Sequence, residues 1–160
     1  MTFAEEQANV ARHVTITGTR SIPAESDLRG LFDGYLRPFA DADAHFYLGG
    51  AVGIDTAALD WLAGCSQVSL TVVVPCTVAD QPAAAVASIR RWQDDGRLAE
   101  VVELGADRLG TVAYYARNRW MVDRSAFVIG FPRGADQGSG TWYTVNYAAE
   151  QGKPRLILPL

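Results

Sequence analysis

Four short stretches of this 160-residue chain place glycine, hydroxyl and arginine side by side in a way that suits anion chemistry. Gly18-Thr19-Arg20-Ser21 follows a β-branched run. A glycine lets the backbone come close to a ligand, a hydroxyl and successive amides cradle an anion, and Arg20 can neutralise it. Gly49-Gly50-Ala51-Val52-Gly53-Ile54-Asp55 is a glycine-rich turn that enters a helix, whose free N–H groups and dipole favour negative charge. Gly138-Ser139-Gly140-Thr141 opens another helix in the same manner. The fourth stretch, Arg117-Asn118-Arg119, sits on a helix ahead of an apolar strand. Consecutive helical residues diverge by about 100°, so Arg117 and Arg119 do not face one ligand together. Position alone leaves two readings for Arg117 and Asn118: a ligand contact or, with Arg124, a solvated face. Asp55 also has two readings, a helix cap or loop brace and a direct ligand contact.

The spacing of these glycines matches neither the dinucleotide fingerprint nor the P-loop, so neither NAD binding nor ATP hydrolysis is indicated. Cys65 and Cys76 lack metal or redox spacing and read as buried free thiols. No carboxylate–histidine cluster has metal spacing and no triad ordering is present, so neither a metal nor a cofactor is expected. His13 and His45 stand at strand starts, at the far end of the sheet from the glycine loops. Tyr114, Tyr115, Trp120, Trp142 and Tyr143 could stack bases, but aromatic residues at helical spacing more often fill a core or a contact between copies.

The elements that must position these residues follow from apolar periodicity. Strands are expected at 13–17, 45–48, 69–75, 100–104, 126–129 and 155–158, the third covered on both faces because its apolar run is unbroken. Helices are expected at 24–38, 54–62 with Gly64 as a stop, 82–94, 109–123 and 140–151. Alternating strands and helices predict an α/β protein, a Rossmann-like parallel sheet with helices on both faces. It is read as a single domain over 13–160 that follows a polar segment, 1–12. Ligands of such open sheets sit beyond the carboxyl ends of the strands, near the topological switch point. Three of the four stretches fall there.

Composition bounds the partners. An apolar fraction of 49% and a charged fraction of 20% exclude a disordered chain. A net charge of −4 argues against non-specific coating of nucleic acid. The basic residues are 13 Arg to 1 Lys. Arginine suits bidentate recognition of phosphate, although genomic base composition gives the same bias. No apolar stretch approaches the roughly 20 residues that span a bilayer, and Glu5 and Glu6 do not suit a signal peptide. A cytoplasmic protein without membrane contact is expected.

Taken in order, these stretches resemble the Smf/LOG (SLOG) Rossmann-like superfamily. The order is Gly18-Thr19-Arg20, Leu48 to Ala58, Arg117-Asn118-Arg119, Gly138-Ser139-Gly140-Thr141, and Ala148-Ala149-Glu150-Gln151-Gly152-Lys153. Within the superfamily the resemblance is to the core of the DNA-processing protein A (Smf) family and covers about residues 13–160. It implies ligand contacts for Gly18, Arg20, Gly49, Gly50, Gly53, Arg117, Asn118, Ser139 and Thr141; Thr19, Asp55, Gly138 and Gly140 join them from the residue reading. It also implies homo-oligomers, since relatives pair through helices of the sheet. That family loads single-stranded DNA and usually carries further terminal domains, whereas this chain is acidic and little more than the core.

The superfamily also holds lonely-guy type phosphoribohydrolases, whose glycine motif is followed by a catalytic glutamate. Here that position is Thr144, which cannot serve as a carboxylate. Gln137 replaces a motif glycine, and Glu150 lies nearly two turns beyond Thr144. The expectation is therefore a module binding a nucleotide or nucleotide-derived molecule, with phosphate on the glycine loops. A nucleotide N-glycosidase using Arg117 with Asp55, and a single-stranded DNA binding recombination accessory, are the alternatives.

Overall fold

The computed structural model describes residues 2–4, 12–136 and 138–160. Residues 5–11 of the polar segment, with Glu5 and Glu6, lie outside the described residues, as does Gln137. The strands are β1 (His13–Gly18), β2 (His45–Leu48), β3 (Ser69–Val74), β4 (Glu100–Glu103), β5 (Phe127–Phe131) and β6 (Arg155–Ile157). The helices are α1 (Leu28–Tyr35), α2 (Ile54–Cys65), α3 (Ala83–Asp94), α4 (Thr111–Asp123) and α5 (Gly140–Glu150).

All strand pairs are parallel, in the order β4-β3-β2-β1-β5-β6. The chain walks outward from β1 to β4, then returns to lay β5 on the free side of β1. That reversal makes the boundary between β1 and β5 the topological switch point, where a ligand crevice forms.

Strand side chains alternate between two faces. Val14, Ile16, Phe46, Leu48, Leu70, Val72, Ile129 and Phe131 pack with Phe32, Leu59, Leu62, Ile89 and Trp92 of α1, α2 and α3 and with Leu36 just after α1. On the opposite face α4 and α5 bury Met121, Val122, Val145 and Ala148 against Tyr47, Val73 and Val128. β1 turns polar groups to this second face: the hydroxyls of Thr15 and Ser125 share a buried 2.7 Å hydrogen bond. Leu70 to Val74 are buried without interruption, as a strand covered on both faces requires.

Three details differ from the sequence reading. The helix expected over 24–38 is shorter, because Asp27 caps it by accepting from Gly30 N at 3.0 Å and a 3₁₀ turn at Arg37–Phe39 takes over at Pro38. Gly64 does not stop α2, which runs through it to Cys65. Cys65 is consequently exposed rather than buried, while Cys76 is buried as expected. The other boundaries fall within a residue or two. No helix among the described residues is long and apolar enough to cross a membrane.

Candidate functional site

A cavity of about 430 Å³ opens at the switch point. Its wall is built from the turn after β1, the N-terminal parts of α2 and α5, the segment after β5, and the inward face of α4. Thr111, Tyr114, Arg117, Asn118 and Met121 line it from α4, at the three- and four-residue intervals that share one helical face.

Arg117 is 4% exposed and Asn118 6%, so the solvated-face reading of this pair does not hold. The Arg117 Nε donates to Asn118 Oδ1 at 2.7 Å, and its Nη1 donates to the Gly49 carbonyl. A Cβ at Gly49 would stand 2.7 Å from the Arg117 Cζ and 2.9 Å from Asp55 Oδ2, so any larger residue would have to displace both side chains. Asp55 is 7% exposed and accepts from Ala51 N at 3.2 Å, so it braces its own loop while bordering the cavity. Burial pushes the Asp55 carboxyl upward, against the pull of Arg117 and its backbone donors. Burial lowers Arg117, against the pull of Asp55 and with a push from Arg20. The guanidinium stays charged regardless. Asp55 and Arg117 both stand against Gly49 and attract each other there, although they are not among the close ion pairs of the described residues, Arg12–Asp43 and Arg37–Asp33.

Arg20 and Arg133 complete the cationic wall. The Arg20 guanidinium lies 4.4 Å above the Tyr114 ring, and Arg117 approaches the same ring at 5.9 Å. Such stacking steadies an exposed arginine by about 0.5–1 kcal/mol. Arg133 Nη1 donates to Ser21 O at 3.2 Å, tying the segment after β5 to the turn after β1. Thr19 folds that turn by accepting from Ser21 N at 3.0 Å.

The two helix N-termini are not equivalent. At α2 the Ile54 N–H already donates to Thr19 O at 3.0 Å and Ala51 N to Asp55. Gly53 makes this contact possible: its φ is 79°, and a Cβ would stand 2.4 Å from Thr19 O. At α5, Ser139 Oγ caps by accepting from Trp142 N at 3.3 Å. Gly140 and Thr141 border the cavity, and amides in the first turn of a helix have no intrahelical acceptor.

Of the expected residues, Gly18, Thr19, Arg20, Asp55, Arg117, Asn118, Gly138, Ser139, Gly140 and Thr141 come together on the wall. Gly49, Gly50 and Gly53 do not. They let the loop after β2 press against Arg117, Val74 and the turn after β1. Thr144 is buried within α5 and donates to Gly140 O at 2.8 Å, so the glutamate position of the hydrolytic relatives is occupied by a helix-internal hydrogen bond. Glu150 is exposed at the end of α5.

Sequence reasoning missed Arg133 and undervalued Tyr114. The rule that ligands gather beyond strand ends would have found Arg133, and the i to i+3 relation to Arg117 would have found Tyr114. His13 and His45 stand at the other end of the sheet, where His45 Nε2 lies 2.6 Å from Thr71 Oγ1 and His13 Nδ1 lies 3.2 Å from the Tyr47 hydroxyl.

No protein-family model and no curated protein matches this sequence. Solved structures do match. DNA processing protein A from Helicobacter pylori, which binds single-stranded DNA, is similar with a TM-score of 0.71 and 25% identity. The match covers 97% of this chain and 68% of that one. DNA processing protein A from Streptococcus pneumoniae gives a TM-score of 0.69 at 22% identity, over 95% of this chain and 52% of that one. The chain thus spans about two-thirds and half of their lengths.

Proposed function

Proceeding from a chain that carries a DNA processing protein A-like core domain, we propose that its cavity binds the phosphate of a nucleotide unit, either a free nucleotide or one residue of single-stranded DNA. The observation that carries this reading is a local reversal of charge. Arg20, Arg117 and Arg133 line a cavity in which Asp55 is the one carboxylate among the described lining residues, although the whole chain has a net charge of −4. Planar guanidinium groups match phosphate oxygens bidentately, and the α5 amides add donors at the positive end of a helix dipole. A volume of about 430 Å³ falls in the range of small-molecule sites. The single-stranded DNA arm draws support from the similarity to the Helicobacter pylori protein. A cytoplasmic location accords with both ligands.

Binding without turnover is the favoured form. Release of a base needs a carboxylate free to transfer a proton or steady the sugar cation. Asp55 is engaged with Ala51 N, and Thr144 is engaged within its helix. Fluorescence anisotropy with labelled oligo-dT and thermal shift with thymidine 5′-monophosphate test the reading, with chromatography of the same mixtures for free base. Binding is expected to at least one of the two, weakened about 10- to 100-fold by Arg20→Ala, the range of a lost charge-assisted hydrogen bond. Failure of both ligands at low salt would overturn the reading. Accumulation of free thymine would replace it with the N-glycosidase alternative.

A further inference from the structure

We propose that the paired rings of Tyr115 and Tyr143 form a second stacking position, which takes the nucleobase next to the nucleotide held by the arginine cavity. The preferred ligand is then a single strand of at least two nucleotides. The inference rests on the cavity reading above and makes its ligand more definite.

Tyr114 and Tyr115 are neighbours on α4, so their rings leave the helix about 100° apart. Tyr114 lies under Arg20, within the cavity. Tyr115 also borders the cavity, but its ring lies against Tyr143 of α5, which stands outside the wall. The two rings are 3.6 Å apart with 3° between their planes. Isolated aromatic pairs prefer offset or edge-to-face arrangements, so this parallel stack is held by its surroundings. Tyr115 donates its hydroxyl to Gly138 O at 3.4 Å, and Arg119 Nη1 donates to the Tyr143 hydroxyl at 2.7 Å. Both residues are half-buried, and Tyr115 carries the pair to the edge of the cavity. A ring fixed in advance costs little ordering on binding, and every nucleobase has a π-face to offer it. Arg119 adds a cation at the same place, favourable for the next phosphate of a strand.

The test compares three ligands on the full chain: thymidine 5′-monophosphate, the 5′-phosphorylated dinucleotide pTpT, and the same dinucleotide with an abasic second residue. The abasic form carries the same phosphates without the second base. We expect pTpT to bind about 5- to 150-fold tighter than the abasic form, the range for stacking one base on an aromatic side chain. Tyr143→Leu keeps apolar packing between α4 and α5; it should remove most of that gain and leave the monophosphate affinity unchanged. Tyr143→Phe should keep the gain, because the ring does the stacking. A 2-aminopurine second base should lose fluorescence on binding to the unaltered protein, which decides the matter even where a variant fails to fold.

A pair that only packs helices would shift the melting temperature and leave the ratio of pTpT to abasic affinities unchanged. Equal affinity for those two ligands in the unaltered chain, or the same ratio in Tyr143→Leu, overturns the second position and leaves the cavity reading intact. Binding of none of the three ligands is a different pattern and overturns both.

Discussion

At the residue scale, the cavity is an arrangement around Gly49, where a methyl group would collide with the Arg117 guanidinium. Arg117 was identifiable through the resemblance of Arg117-Asn118-Arg119 to a family motif, not through its helical position, which suits solvent as well as a ligand. Its burial comes from the loop after β2 folding over it, a tertiary contact that no local pattern encodes. The same contact gives Gly49, Gly50 and Gly53 a packing role behind the wall. Glycines needed for close packing of two loops look, in sequence, the same as glycines needed for phosphate.

His45 gives a prediction at this scale. Burial first, and the neighbouring His13 second, hold its imidazole at about 4 instead of 6.5. Between these values the unfolded chain binds the proton and the folded chain does not. Stability must therefore fall as pH drops from about 6.5 towards 4, and flatten below. The loss at pH 5 is on the order of 1 kcal/mol once solvent screening of a half-buried ring is allowed for. Urea unfolding at pH 7 and pH 5 checks it: His45→Gln should lose less stability over that interval than the unaltered chain. An equal loss would assign the acid sensitivity to other groups.

At the element scale, apolar patterns of the right length revealed the strands and helices, because the four inner strands are buried against helices and most helices turn an apolar side to the sheet. The ends were harder to read. α2 continues through Gly64 while Arg97, in the loop between α3 and β4, holds its end: Arg97 Nε donates to Ala63 O at 3.0 Å in the last turn, and its Nη2 donates to Ser66 O at 3.2 Å and Val68 O at 3.3 Å just beyond it. A cation at a helix C-terminus also suits the dipole. Arg97→Ala should lower stability by about 1–3 kcal/mol, since it leaves several carbonyls without a charged donor. The urea midpoint should fall while affinity for the ligands of the cavity stays unchanged. A midpoint within the error of the unaltered chain would mean that water replaces Arg97 at no cost.

At the scale of the whole molecule, the sheet order places the site. Return of the chain to β5 beside β1 opens the crevice, and α4 leads into it with Arg117 and Tyr114 on one face. Alternation of elements was enough to foresee a parallel sheet, but strand order is a matter of long-range pairing and could not be read from local patterns. The same global view reconciles an acidic chain with the anionic ligand proposed for it. Bulk charge of −4 disfavours diffuse attraction to nucleic acid, and three arginines gathered at one crevice favour a single, limited contact.

That contrast has a direct measure in the salt dependence of oligo-dT binding, followed by anisotropy over a range of potassium chloride concentrations. Each phosphate contact on single-stranded nucleic acid adds about −0.7 to the slope of log affinity against log salt. Three arginines therefore predict a slope of about −2, reduced by about 0.7 in Arg20→Ala together with a weaker affinity. Affinity that is independent of salt, or a slope and affinity unchanged by Arg20→Ala, would contradict the assignment of this cavity to phosphate.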